Sequence, residues 1–104
     1  MRKITEESRN AFLNKGEINK QNMRVFYDKY DNTSRMLLHG NCIATLIFDA
    51  TNKRDMLTIN NCGWQSNTTK ERLNSLPGVH IVQNNFTWYL NGKEWNGENF
   101  NIFI

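Results

Sequence analysis

Residues 35–49 read RMLLHGNCIATLIFD, two apolar arms on either side of His39-Gly40-Asn41. Glycine supplies the free φ that a tight turn demands, so the segment reads as two strands folded back on each other. Upstream, NMRVFYDKY alternates Met23, Val25 and Tyr27 against Arg24, Phe26 and Asp28, the period-two pattern of a further strand. Downstream, past the polar loop ATNKRD, residues 56–59 (MLTI) supply another.

Further out, Thr5 is placed to cap a first helix running to about Lys15, with Glu6 and Glu7 in its first turn and Gly16 ending it. Ser8, Ala11 and Phe12 give that helix a weakly apolar face. In the segment GWQSNTTKERLNSLPGV, Thr68 stands three residues before Glu71, a capping-box spacing, and Leu73 and Leu76 then share one helical face. Pro77-Gly78 breaks the second helix and VHIVQ resumes a strand pattern, with His80 pointing outward between Val79 and Ile81. Asn91-Gly92 suits a type I′ turn within FTWYLNGKEW, and NFNIFI can add a last strand. The expected fold is a single α+β domain over residues 1–104: a largely antiparallel sheet of five to seven strands with two helices on one face.

Thirteen Lys and Arg against ten Asp and Glu give a net charge of +3, mild beside a dedicated nucleic-acid-binding domain, while a pI near 9.0 leaves that partner open, so charge alone does not decide. Asn60-Asn61 and Asn84-Asn85 read as turns, because asparagine tolerates positive φ. Cys42 and Cys62 fall in different expected strands without zinc-ligand spacing and are expected as reduced, buried thiols. With no apolar run long enough to cross a bilayer and no signal-peptide core in MRKITEESRN, the chain is expected to be soluble and cytoplasmic, without a membrane partner.

No phosphate loop, HExxH, paired-cysteine motif or nucleophile elbow is present, so no catalytic residue, metal site or cofactor is expected. His39 stands in a turn beside Asn41, where bonding to its own backbone is the common role and general-base chemistry the rarer one. Trp64 and one of Trp88 and Trp95 are expected as core anchors; the functional alternative is an exposed indole that stacks on a base or anchors a protein interface. At the second helix start, the backbone N–H groups from Asn67 to Lys70, the hydroxyls of Ser66, Thr68 and Thr69, and the cations Lys70 and Arg72 have the chemistry of an anion-binding terminus, which any capped helix shares. The candidate binding residues are therefore Trp64, Ser66, Asn67, Thr68, Thr69, Lys70 and Arg72, with His39 and Asn41.

LLHGNCIATLI, GWQSNTTKERLNSLPGV and WYLNGKEWNG resemble recurring segments of a group of small accessory proteins encoded by tailed bacteriophages. The resemblance brings no catalytic residues with it. It implies a protein acting in the cytoplasm of the infected host, where such proteins block defences such as CRISPR complexes or nucleotide signalling, or redirect host enzymes. The basic composition departs from the acidic inhibitors that mimic DNA. The leading expectation is a non-enzymatic inhibitor of a host macromolecule, an anti-CRISPR or other anti-defence factor, whose partner is a host protein or ribonucleoprotein. The alternatives are a nucleic-acid-binding accessory protein using Trp64, Lys70 and Arg72, and a sponge for a nucleotide signal at the helix start. Exposed aromatics favour the first, a continuous cationic groove the second, and a closed pocket at a homo-oligomer interface the third.

Overall fold

The computed structural model describes residues 2–104. Their order is α1 (Lys3–Leu13), β1 (Ile18–Lys20), β2 (Met23–Asp28), β3 (Thr33–Leu38), β4 (Asn41–Ile47), β5 (Met56–Ile59), α2 (Asn67–Asn74), β6 (Ile81–Asn84), β7 (Thr87–Leu90), β8 (Lys93–Glu94) and β9 (Phe100–Phe103). A six-stranded antiparallel sheet runs β1-β2-β3-β4-β5-β9, and a three-stranded sheet β6-β7-β8 stands apart from it. The α+β class is as expected, and the larger sheet falls in the expected range. The smaller sheet forms separately, and β1, three residues long, had too little pattern to announce itself.

The central hairpin turns on His39 (φ 51) and Gly40 (φ 80), both left-handed as a two-residue type I′ turn requires. Register then sorts the side chains. Met23 faces Leu38, Val25 faces Met36, Met36 faces Ala44, and Leu46 faces Leu57, so one side of the sheet is a continuous apolar surface. A bulge beside Met36 and Leu37 inserts Ile43 and buries it as well. Ile4 and Phe12 of α1 and Leu73 of α2 join this same core, which places both helices on one face. The other face carries Arg24, Phe26, Arg35, Cys42, Thr45 and Ile47 and, among the described residues, has no helix over it.

Helix α1 begins two residues before Thr5. Arg2 occupies the N-cap position without a capping side-chain bond, and Thr5 is buried inside the helix. The helix also stops at Leu13, short of Lys15, and Gly16 N–H returns to the Ala11 carbonyl at 2.8 Å. The second helix is capped by Ser66 and not by Thr68: Ser66 Oγ accepts from Thr69 N at 3.2 Å. Thr68 loses the role because its capping-box partner, Glu71, is bonded to Arg2 and Thr5.

The tryptophans distribute differently from expectation. Trp88 and Trp95 are both buried and stack at 6.1 Å, with Trp95 Nε1 donating to the Glu98 carbonyl at 2.8 Å. The Asn91-Gly92 turn brings them together, as the hairpin pattern implied. Trp64 is instead 62% exposed. The cysteines also depart from the buried pair: Cys42 is exposed on the uncovered sheet face, while Cys62 lies beyond β5, half-buried, its thiol donating to the Cys42 carbonyl at 3.0 Å.

Candidate functional site

The exit from β5 builds the site. Asn61 is buried, its N–H donating to the Gly97 carbonyl at 3.0 Å and its side-chain oxygen accepting from Gly63 N at 2.9 Å. Cys62 (φ 54) and Gly63 (φ 80) then reverse the chain, and Trp64 N closes the turn on the Asn61 carbonyl at 2.8 Å. Two successive left-handed residues swing the indole outward rather than into the core.

Beside it lies a concavity of about 260 Å³, lined by Leu38, His39, Asn41 and Ile43 from the central hairpin, by Asn61 and Trp64, and by Ser66, Thr68 and Thr69 from the start of α2. Of the candidate residues, His39, Asn41, Trp64, Ser66, Thr68 and Thr69 thus meet around one hollow. Asn67 is exposed but does not line it, and Lys70 reaches away to Gln83 Oε1 at 3.5 Å.

Arg72 is not on the surface: it is 1% exposed. Its Nη1 donates to Thr5 Oγ1 at 2.6 Å and pairs with Glu71, while Arg2 Nε reaches the same carboxylate at 2.9 Å. An arginine expected on a ligand-binding face is therefore the buried link between the two helices. Glu71 on the same helix is one partner, and the approach of α1 from 67 residues away supplies the other, Thr5. Burial, followed by the neighbouring Arg2 charge, lowers the Arg72 pKa from the ordinary arginine value.

Desolvation works against ionisation of Glu71, yet hydrogen bonds from Thr5 and Arg2 and the charges of Arg2 and Arg72 prevail and hold its carboxyl below the usual range. A carboxyl lowered in the folded state contributes stability that is complete above its ordinary value of 4.5 and is lost as pH falls through the lowered folded value. Asp31 and Asp49 are lowered too, by the Arg35 bond and by Asn52, so the acid limb has several contributors. Glu71→Gln is expected to be less stable than the parent at neutral pH, with the gap closing as urea titrations are repeated toward acid. A gap independent of pH would contradict this account of Glu71.

Sequence reasoning missed Phe86. It is 88% exposed at the tip of the β6–β7 hairpin, where Asn85 (φ 51) and Phe86 (φ 67) form a two-residue turn. Gln65 Nε2 donates to the Phe86 carbonyl at 2.8 Å, which ties this tip to the segment bearing Trp64. The available signal was an aromatic residue in the turn position that Asn-Gly sequences fill with glycine.

A family model described as Kyanoviridae Gp96 protein matches residues 1–103. No curated protein and no solved structure matches the chain. The match extends through the N-terminal helix, which the resembling phage segments did not reach, and includes every residue of the hollow and of the Trp64 and Phe86 turns. The chain belongs to the Kyanoviridae Gp96 family, a group of bacteriophage proteins.

Proposed function

We propose that this phage protein is a non-enzymatic accessory factor that acts in the host cytoplasm by binding and inhibiting a host protein or ribonucleoprotein, in the anti-defence class that includes anti-CRISPR proteins. The supporting observation is Phe86, a bulky side chain 88% exposed on a left-handed backbone and bonded to the segment of Trp64, itself 62% exposed. A non-glycine residue costs about 1–2 kcal/mol in that conformation. Strain of this kind clusters at functional surfaces. Exposed large aromatics are common anchors of protein interfaces, and Trp64 stands at a small hollow of mixed polar and apolar lining.

The other readings have less support. A nucleic-acid surface built on Trp64, Lys70 and Arg72 loses its arginine to the core. A hollow of about 260 Å³ falls below the roughly 300–1,000 Å³ of sites that enclose small ligands, and suits an inserted side chain better than a nucleotide.

The test is quantitative affinity capture from infected-host lysate, comparing the parent with Trp64→Ala. Because Trp64 contributes little to the core, the variant is expected to keep its melting midpoint within roughly 0.5 kcal/mol. It is expected to lose a specific host protein at least about tenfold, as for a hot-spot residue. Equal recovery of every host protein by both forms would overturn the reading.

A further inference from the structure

Four strand edges end the two sheets: β1 and β9 in the larger, β6 and β8 in the smaller. A free edge displays unpaired N–H and C=O groups, and folded proteins blunt it with shortness, charge or cover. Strand β1 is three residues long and carries Lys20, which Glu7 holds at 3.4 Å. Strand β8 is only Lys93 and Glu94, both charged. Strand β6 is covered by a side chain: Asn74 Nδ2 donates to the Ile81 carbonyl at 3.0 Å and Asn74 Oδ1 accepts from Ile81 N at 2.7 Å, taking the place of a neighbouring strand.

Strand β9 carries no charge of its own and has no side chain bonded along its outer backbone among the described residues; the Arg54 guanidinium lies 4.2 Å from the Phe103 ring centroid. Phe100–Phe103 contains no charge and no proline, and Phe100, Phe103 (56% exposed) and Ile104 are open to solvent. Ile104 N donates to the Asp55 carbonyl at 2.9 Å, so by antiparallel alternation Ile102 and Phe100 also direct their backbone groups toward β5. Asn101 and Phe103 therefore direct theirs outward.

We infer that β9 pairs antiparallel with β9 of a second copy of this chain, across a two-fold axis at Ile102, joining the two six-stranded sheets into one. The strand is complementary to itself. Rotation about Ile102 sets Asn101 of each copy against Phe103 of the other, and Phe100 against Ile104. The strand itself carries no charge, so no like charges meet along the paired backbone, and the Arg54 guanidinium lies over the Phe103 ring on the face away from the core. The row Phe100, Ile102 and Ile104 continues the core-facing side of Leu57 and Ile59, so the apolar surface crosses the axis unbroken. The pairing is isologous and closed, which stops it at a dimer.

Sedimentation velocity over about a hundredfold range of protein concentration reads the equilibrium directly. The parent is expected to pass from monomer to dimer, with slowed hydrogen exchange at the Asn101 and Phe103 amides in the dimer. Phe103→Lys places repelling charges near the axis, and Asn101→Pro removes an outward N–H together with the exposed bond that Thr58 Oγ1 donates to Asn101 Oδ1 at 2.7 Å. Each is expected to raise the dissociation constant at least tenfold while the monomer remains folded at low concentration, losing only the Thr58 bond or the Arg54 stacking contact. A parent that stays monomeric over the whole range overturns the inference. So does a dimer that neither variant weakens, or one whose Asn101 and Phe103 amides gain no protection.

Discussion

Gly97→Ala is expected to destabilise the protein by about 3 kcal/mol or more, the largest effect of a methyl group added at any of its glycines. Gly97 sits at φ +92, and an added Cβ would lie 2.2 Å from the side-chain nitrogen and oxygen of Asn61. The backbone conformation alone costs an alanine about 1–2 kcal/mol. Asn61 has no easy retreat, because its amide oxygen holds Gly63 N and its backbone holds both Gly97 and Trp64. Gly92→Ala is the internal control, since Gly92 has φ +87 but nothing within 4 Å of the added carbon. It should cost about 1 kcal/mol, the conformational part alone. Asn61→Ala removes the clashing atoms, so the double variant Asn61→Ala/Gly97→Ala should be less destabilised than the two single costs sum to. Equal midpoints in urea for Gly97→Ala and Gly92→Ala would contradict the contact with Asn61.

Arg72→Ala is expected to cost about 3 kcal/mol, although the helical pattern alone assigns it to a surface where substitution is nearly free. Its guanidinium is enclosed, bonded to Thr5 and Glu71, and joins α1 to α2. Removing it takes away the Arg72 donor from Thr5 and Glu71, which keep their bond to each other, and opens a cavity beside Leu73. The loss falls below the usual upper limit for a broken buried pair because Glu71 keeps Arg2 and is one-third exposed, at 32%. Arg72→Met fills the same space without the charge and should recover a good part of the loss. A midpoint for Arg72→Ala within about 0.5 kcal/mol of the parent would return Arg72 to the surface.

Local chemistry made the central strands legible. The turn at His39-Gly40 and the alternation of Met23, Val25, Met36 and Leu38 are short-range facts, and the structure follows them. Asn91-Gly92 marked its hairpin for the same reason. What depended on distant segments was hidden. Thr5 read as a cap until Arg72 and Glu71 arrived beside it, and both belong to the other helix. The sequence SNTTKE offers two capping registers, from Ser66 or from Thr68, and the choice depends on the bonds that engage Glu71 elsewhere. Trp64 carries no mark of exposure in itself, since indoles serve cores and interfaces equally. The left-handed pair Cys62-Gly63 decides its direction. Of the candidate site, the helix start and the hairpin turn were legible one by one, while their meeting around one hollow required the sheet register.

The binding surface is tested most directly by Phe86→Gly, with stability and host-protein capture measured on the same preparation. Glycine relieves the positive φ of +67 and leaves intact the carbonyl that accepts from Gln65. Relief of about 1–2 kcal/mol, less the roughly 0.5–1 kcal/mol that glycine gives up in chain entropy, should make the variant more stable by about 0.5 kcal/mol or slightly more. The expected result is a raised midpoint together with loss of the host protein that the parent captures. A variant no more stable than the parent, or one that captures the same protein equally well, would contradict a surface on which strain is retained for binding.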